Sequence, residues 1–224
     1  MNFKVLTLFP DMIRYITGES IIGRAQKAGY ISVEALNIRD FSKDKHKRVD
    51  DTPYGGGKGM LIAAPAVCDA HDSVMSGLSG TTHTVYMSPR GKVLTHKKAL
   101  ELSKYDNLVI ICGHYEGIDQ RALDYCGCEE ISIGDYVLTG GEMPACILID
   151  SVARLCKGVL ADDVCFEDES IASGLLEYPH YTRPEVYKGE KVPDVLLEGN
   201  HAKIEKWRRE KALEITKKQR PDLL

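Results

Sequence analysis

The 224-residue chain predicts an α/β fold with a mostly parallel sheet, and three observations carry that prediction. Short β-type runs alternate with helix-period segments up to about residue 157, the pattern of strand–helix–strand units. The run NLVIIC (107–112) is apolar at consecutive positions, as a parallel strand covered on both faces requires. Glycine- and proline-bearing stretches follow the third, fourth and fifth runs, at the strand ends where open α/β sheets hold ligands.

The elements follow in order. FKVLTLF (3–9) reads as the first strand and 20–28 as a helix stopped by Gly29, before a second strand, YISVEALNI (30–38). A helix over 65–75 begins with proline at a tolerated first-turn position. HTVYMS (83–88) is the third strand, and SPRG (88–91) reads as the loop that leaves it. Thr95 caps HKKALELSKY, NLVIIC is the fourth strand, and IDQRALDYC (118–126) is helical. CEEISI (128–133) is the fifth strand, and 143–156 has an apolar period close to that of a helix. After Cys156 the texture changes. An acidic, weakly periodic linker is expected over 158–173, then a small helical domain over 174–224 whose helix is capped by Asn200 and stops before Pro221. The organisation predicted is thus an α/β domain over 1–157, a linker, and a helical C-terminal domain.

No apolar run approaches the roughly 20 residues that span a bilayer, so no membrane association is expected. The N-terminus reads as a strand rather than a signal peptide. Seven cysteines, scattered through apolar segments, suit buried thiols in a reducing cytoplasm better than a disulfide framework. Cys126 and Cys128 lack the spacing of a zinc motif. The net charge of −4 does not advertise nucleic-acid binding, but it is unevenly spread. Residues 101–172 carry fifteen acidic and four basic side chains, whereas 201–220 carries eight Lys/Arg against three Glu. FSKDKHKR (41–48) is a second basic island, and two such islands on an acidic body suit a phosphate backbone.

The glycine clusters set the chemistry. YGGGKGM (54–60) has neither the spacing nor the Ser/Thr of a Walker phosphate loop, and no GxGxxG follows the first strand. A turn needing positive φ explains some of these glycines; close approach of a ligand or another backbone remains open for the others. CGHYEG (112–117), SPRG and SIGDYVLTGGEMPA (132–145) leave successive strand ends, which suggests one pocket built largely of backbone and suited to a flat heterocycle.

LFPDM, DDTPYGGGKGM, CGHYEGIDQR, SIGDYVLTGGEMPA, GLLEYPHYTRP and VPDVLLEGNHAKIEKWR, in that order, closely resemble the bacterial TrmD tRNA (guanine-N1)-methyltransferases, members of the SPOUT, or trefoil-knot, class. The resemblance runs from Phe3 to about Arg209. It implies that SIGDYVLTGGEMPA is both knot-forming backbone and a cradle for S-adenosyl-L-methionine. Cofactor contacts then fall on Tyr86, Met87, Ser88, Pro89, Gly113, Glu116, Ile133, Gly134, Asp135, Tyr136, Val137, Leu138, Gly140, Gly141 and Pro144. Gly134, Gly140 and Gly141 fit that role by unusual backbone angles and room for threading.

The activity implied is methyl transfer to N1 of the guanosine at tRNA position 37. Guanine N1 must lose a proton, so a carboxylate base is needed, and the charge that develops at O6 suits an arginine. The resemblance assigns the arginine to Arg154. The base falls on the acidic residue before Ser170, which here is Glu169 where the family usually has Asp; Asp168, one residue upstream, is the alternative. Arg90 stands where the family commonly has Gln. The tRNA contacts implied are Asp50, Tyr54, His180, Tyr181, Arg183, Arg208 and Arg209, with Trp207 open to either helix packing or base stacking. Magnesium dependence and a homodimer with active sites shared between subunits are implied as well. The rival reading is a knotted RNA-binding protein without catalysis.

Overall fold

In a computed structural model, the structure describes residues 1–160, 170–171 and 174–224. They divide into two compact units, Met1–Asp163 and Val164–Leu224.

The first unit runs β1 (Asn2–Thr7), α1 (Pro10–Thr17), α2 (Ser20–Lys27), β2 (Ser32–Asn37), β3 (Asp50–Asp51), β4 (Leu61–Ile62), α3 (Ala64–Ser76), β5 (Thr82–Val93), α4 (His96–Leu102), β6 (Asn107–Cys112), α5 (Gln120–Cys126), β7 (Glu129–Ser132) and α6 (Glu142–Ala153). Five strands form one sheet in the order β2-β1-β6-β5-β7, and every pairing in it is parallel. The sheet is covered on both faces, which is why its central strand is apolar throughout. Leu108, Ile110 and Cys112 of β6 join Phe3, Val5, Leu148 and Ile149 in one core, while Val109 and Ile111 join Leu6, Val67 and Leu123 in the other. All six residues of β6 are buried.

Several local signals act as read. Gly29 follows α2 at φ +79°. Lys98 N–H donates to the Thr95 hydroxyl at 3.2 Å, capping α4. Two expectations need correction. Residues 10–17 form a helix that the strand reading of 3–9 obscured; Pro10 opens it, where a missing N–H costs nothing. SPRG does not leave the third strand either. β5 continues to Val93, with a register shift between Met87 and Lys92, so Ser88–Gly91 is an irregularity inside a long strand. Proline is tolerated there because the ladder is already interrupted.

Beyond β7 the chain crosses the sheet end. β5 lies between β7 and β6, yet Gly141 N–H donates to the Gly113 carbonyl just past β6 at 2.8 Å, and Gly140 bridges His114. Segment 133–141 therefore passes across the end of β5 to reach β6, and α6 then packs against α1 and α4.

The second unit contains a short hairpin, β8 (Val186–Tyr187) with β9 (Glu190–Lys191), and one long helix, α7 (His201–Gln219). Asn200 caps α7 by accepting from Lys203 N–H at 3.2 Å. Thr216, fully buried on α7, accepts from Leu176 N–H at 2.8 Å and so ties the preceding segment to the helix.

Candidate active site

A cavity of about 220 Å³ opens at the C-terminal ends of β6 and β7, beside the register shift in β5. Its walls are Tyr86–Pro89 of β5, residues 113–117 after β6, and residues 131–133 and 136–141 at and beyond β7, closed by Pro144 in the first turn of α6. Among the expected cofactor contacts, Tyr86, Met87, Ser88, Pro89, Gly113, Glu116, Ile133, Tyr136, Val137, Leu138, Gly140, Gly141 and Pro144 all line it. Gly134 and Asp135 do not. Gly134 (φ +143°) instead makes the turn that brings the Tyr136 ring back over its own backbone, and Tyr136 hydroxyl donates to the Ile133 carbonyl at 3.2 Å.

Two glycines are required by proximity rather than by backbone angle. A Cβ on Gly141 would lie 2.8 Å from Cys112 Cα and 2.9 Å from Gly113 N, although the φ of Gly141 is an ordinary −82°. One on Gly113 would lie 2.7 Å from the Tyr86 hydroxyl. Two strand-end backbones and a phenol thus meet without side chains between them, a cradle any Cβ would fill. Burial pushes the Tyr86 phenol above its usual pKa, with Glu130 adding to the shift and Arg90 opposing it. The group therefore stays protonated at neutral pH.

The glycine-rich segment 54–60 joins this site. Gly55, Gly56 and Gly57 have positive φ, as a turn demands. Gly59 (φ +83°) shares that backbone angle but is also crowded: a Cβ there would meet Oε1 of Glu116 at 2.7 Å. Glu116 N–H donates to the Met60 carbonyl at 3.0 Å and Ile62 N–H to the Gly117 carbonyl at 2.9 Å, so the segment lies directly along the Glu116 wall. Arg90, on the irregular part of β5, makes a two-pronged ion pair with Glu130 (3.1 and 2.8 Å) and donates to Gln120 Oε1 at 3.2 Å. Such an exposed pair contributes about 1 kcal/mol at most.

Arg154 stands just beyond the C-terminal end of α6, half-buried and outside the cavity. The helix starts at the cavity, and its twelve residues put Arg154 about 18 Å away along the axis. Glu169 and Asp168 lie outside the described residues. Asp50 is half-buried on β3, and Tyr54 is 98% exposed at the tip of its loop. In the second unit His180, Tyr181 and Arg183 are exposed, as is Arg209, which has no ion pair among the described residues. Arg208 is engaged locally: its guanidinium lies 4.9 Å from the centre of the Tyr178 ring and bonds Glu205. Trp207 packs edge-on to Tyr178 and near Tyr181, both at 6.4 Å, which favours the packing role over free base stacking.

The cavity also includes His114, Tyr115, Gly117, Ile131, Ser132 and Thr139, none of which the sequence singled out. His114 and Tyr115 stood inside a motif already quoted, so strand-end position was the available signal. The described cysteines are all free, and no group of three or more His, Cys, Asp or Glu among the described residues is placed to hold a metal.

The chain matches the family described as tRNA (Guanine-1)-methyltransferase TrmD over residues 1–224. It is 57% identical over 223 residues to the tRNA (guanine-N(1)-)-methyltransferase of Ruminiclostridium cellulolyticum, covering 100% of this chain and 96% of that protein. The proteins of the same name from Lachnospira eligens and Caldicellulosiruptor saccharolyticus are 55% and 56% identical, covering all of this chain and 94% and 90% of their own lengths.

Proposed function

The chain belongs to the TrmD family of tRNA (guanine-N1)-methyltransferases, and from that membership we propose that it methylates N1 of the guanosine at tRNA position 37. It is an S-adenosyl-L-methionine-dependent enzyme of the SPOUT class, and on this reading the knot belongs to the segment 133–141 that crosses the end of β5. The observation that carries the reading is the cradle at Gly113 and Gly141, where the start of α6 meets the backbone at the end of β6 beside the Tyr86 phenol.

The cofactor, when bound, supplies a methyl group activated by the sulfonium it leaves. The chain's own residues do the rest. Main-chain groups of 113–117 and 136–141 bind and orient, and the neutral Tyr86 phenol is available as a hydrogen-bond donor. Glu116 balances cationic charge at the open side of the cavity. Glu169, or Asp168, takes the N1 proton, and Arg154 stabilises the charge that develops at O6. Magnesium, if used, is held by one or two carboxylates and water rather than by a protein cage, and Glu116 is the cavity carboxylate open to it. The first unit carries the cofactor cavity and Arg154. Tyr54 and Asp50 with the basic loop, and His180, Tyr181, Arg183, Arg208 and Arg209 in residues 174–224, hold the tRNA, with cytoplasmic tRNA as the substrate pool.

A homodimer completes the site. Met12, Tyr15 and Ile16 of α1 and Met143 and Ile147 of α6 expose large apolar side chains on two helices that pack together, a surface suited to a second copy. Arg154, about 18 Å from the start of its own α6, then acts on the cavity of the partner subunit.

Calorimetric titration should give heat with S-adenosyl-L-methionine and none with ATP, and labelled cofactor should label unmodified tRNA carrying guanosine at position 37. Cofactor binding without tRNA labelling would favour the catalytically silent RNA-binding alternative. ATP binding in place of the cofactor would sink both.

A further inference from the structure

We propose that Glu142, held by Thr7, is a positioning residue for the cofactor cavity; this rests on the methyltransferase reading. Glu142 is the first residue of α6, only 3% exposed, and Thr7 is the last residue of β1 and fully buried. The Thr7 hydroxyl donates to Glu142 Oε1 at 2.7 Å and accepts from Phe9 N–H at 2.9 Å. One short polar chain therefore joins the end of β1 to the start of the helix that follows the 133–141 crossing.

The other carboxylate oxygen faces the cavity wall. A Cβ on Gly140 would lie 2.5 Å from Glu142 Oε2 and 3.0 Å from His114 Nδ1. His114 Nδ1 is buried and makes no hydrogen bond among the described residues, and its ring is wedged between Phe9 (5.0 Å between centres) and Tyr115 (4.8 Å). Gly140 and His114 pair through the backbone, and both line the cavity. Glu142 Oε2 and His114 Nδ1 thus both stand where a side chain on Gly140 would have to go.

Stability alone does not explain a carboxylate here. Burying an ionised group is costly, and apolar residues of similar volume usually serve a core as well or better. The carboxylate also sits against the buried Cys112 and Cys146, whose thiols are pushed up by burial and by Glu142 itself. What the arrangement does provide is a charge at the N-terminus of α6, where the helix dipole favours it. It also provides a directional bond that sets where the Gly140–Gly141 turn lies.

The test compares Glu142→Gln, Thr7→Val and Thr7→Ser in the full chain, reading calorimetric cofactor affinity, KM for the cofactor, kcat at saturating cofactor, and Tm. Thr7→Val deletes the donor, whereas Glu142→Gln keeps an acceptor oxygen but removes the charge that strengthens the bond. Loss of a buried charge-assisted hydrogen bond corresponds to about a tenfold change in binding. Glu142→Gln and Thr7→Val should each raise Kd and KM by about that factor with kcat nearly unchanged. Thr7→Ser, which keeps the hydroxyl, should restore affinity. A lowered Tm with unchanged Kd and KM in either variant would reduce the pair to a structural contact and overturn the proposal. Should Glu142→Gln fail to fold, Thr7→Val, which removes only a hydroxyl, decides by the same criterion. Wild-type protein that binds no cofactor would instead overturn the methyltransferase reading.

Discussion

Replacing Gly141 with valine is expected to remove S-adenosyl-L-methionine binding. The new Cβ would enter within 2.9 Å of the Gly113 backbone nitrogen and within 2.8 Å of Cys112 Cα. Neither neighbour can swing aside, because Cys112 is a fully buried residue of β6 and Gly113 accepts the Gly141 N–H. The start of α6 must therefore back away from the strand end, and the cradle opens. Overpacking of this kind typically costs about 1–3 kcal/mol, or roughly ten- to a hundredfold in affinity, and valine adds two further methyls at the same point. Calorimetry with Gly141→Ala and Gly141→Val in parallel checks the mechanism: affinity should fall in that order while the circular dichroism spectrum persists. Wild-type affinity in the valine variant would mean that the cofactor does not use this cradle.

The second large effect is on the reaction itself. Arg154→Ala should slow single-turnover methylation at saturating tRNA by about 10²–10³-fold, the usual cost of losing an electrostatic stabiliser. Glu169→Gln should slow it by about 10²–10⁴-fold and flatten its dependence on pH, as the loss of a general base does. Cofactor affinity should hold in both if they act on the guanine rather than on the cofactor, and Arg154 stands outside the cavity wall. If Asp168→Asn is crippled instead, the base is the upstream carboxylate. Full rates in all three would remove the base and arginine roles together. The separation of Arg154 from the cavity adds a geometric test. Heterodimers of an Arg154→Ala subunit with a Gly141→Val subunit contain one intact composite site if the arginine works across the interface, and should recover roughly half the wild-type rate. No recovery from purified heterodimers would place Arg154 in its own subunit's chemistry.

Much of this was legible in the chain because it depends on local pattern. Unbroken hydrophobicity in NLVIIC announced a strand buried on both faces, and both cores do divide its side chains between them. Thr95 and Asn200 announced helix starts through the single hydrogen bond each makes. What was illegible depends on segments distant in sequence. Pro89 looks like a strand terminator, but it occupies an irregularity where β5 changes register against β7, and only that pairing shows the strand continuing. Gly59 is one glycine among several until the Glu116 side chain is found where its Cβ would be. The crossing of 133–141 has no periodic signature at all, and its expectation came from resemblance. Gly140 and Gly141, expected to combine unusual backbone angles with room for threading, need the room and not the angles. The length of α6, which removes Arg154 from the cavity that its first turn closes, could not be weighed before strand positions were known.

The strand order has a further consequence, for how the molecule assembles. Asn2 pairs with Asn107, and Val85 with Glu129, so the sheet is stitched from partners far apart along the chain. Each such pairing closes a long loop before any contact rewards it, and proteins dominated by distant pairings fold slowly. Here β7 must also pair with β5 before segment 133–141 can cross β5 and α6 can dock. During that interval the outer edge of β5 is unpaired and the apolar face of α6 uncovered. The hazard in making this protein is therefore concentrated late in its folding, when the sheet is nearly complete but still sticky, and it is there that aggregation competes with the native state.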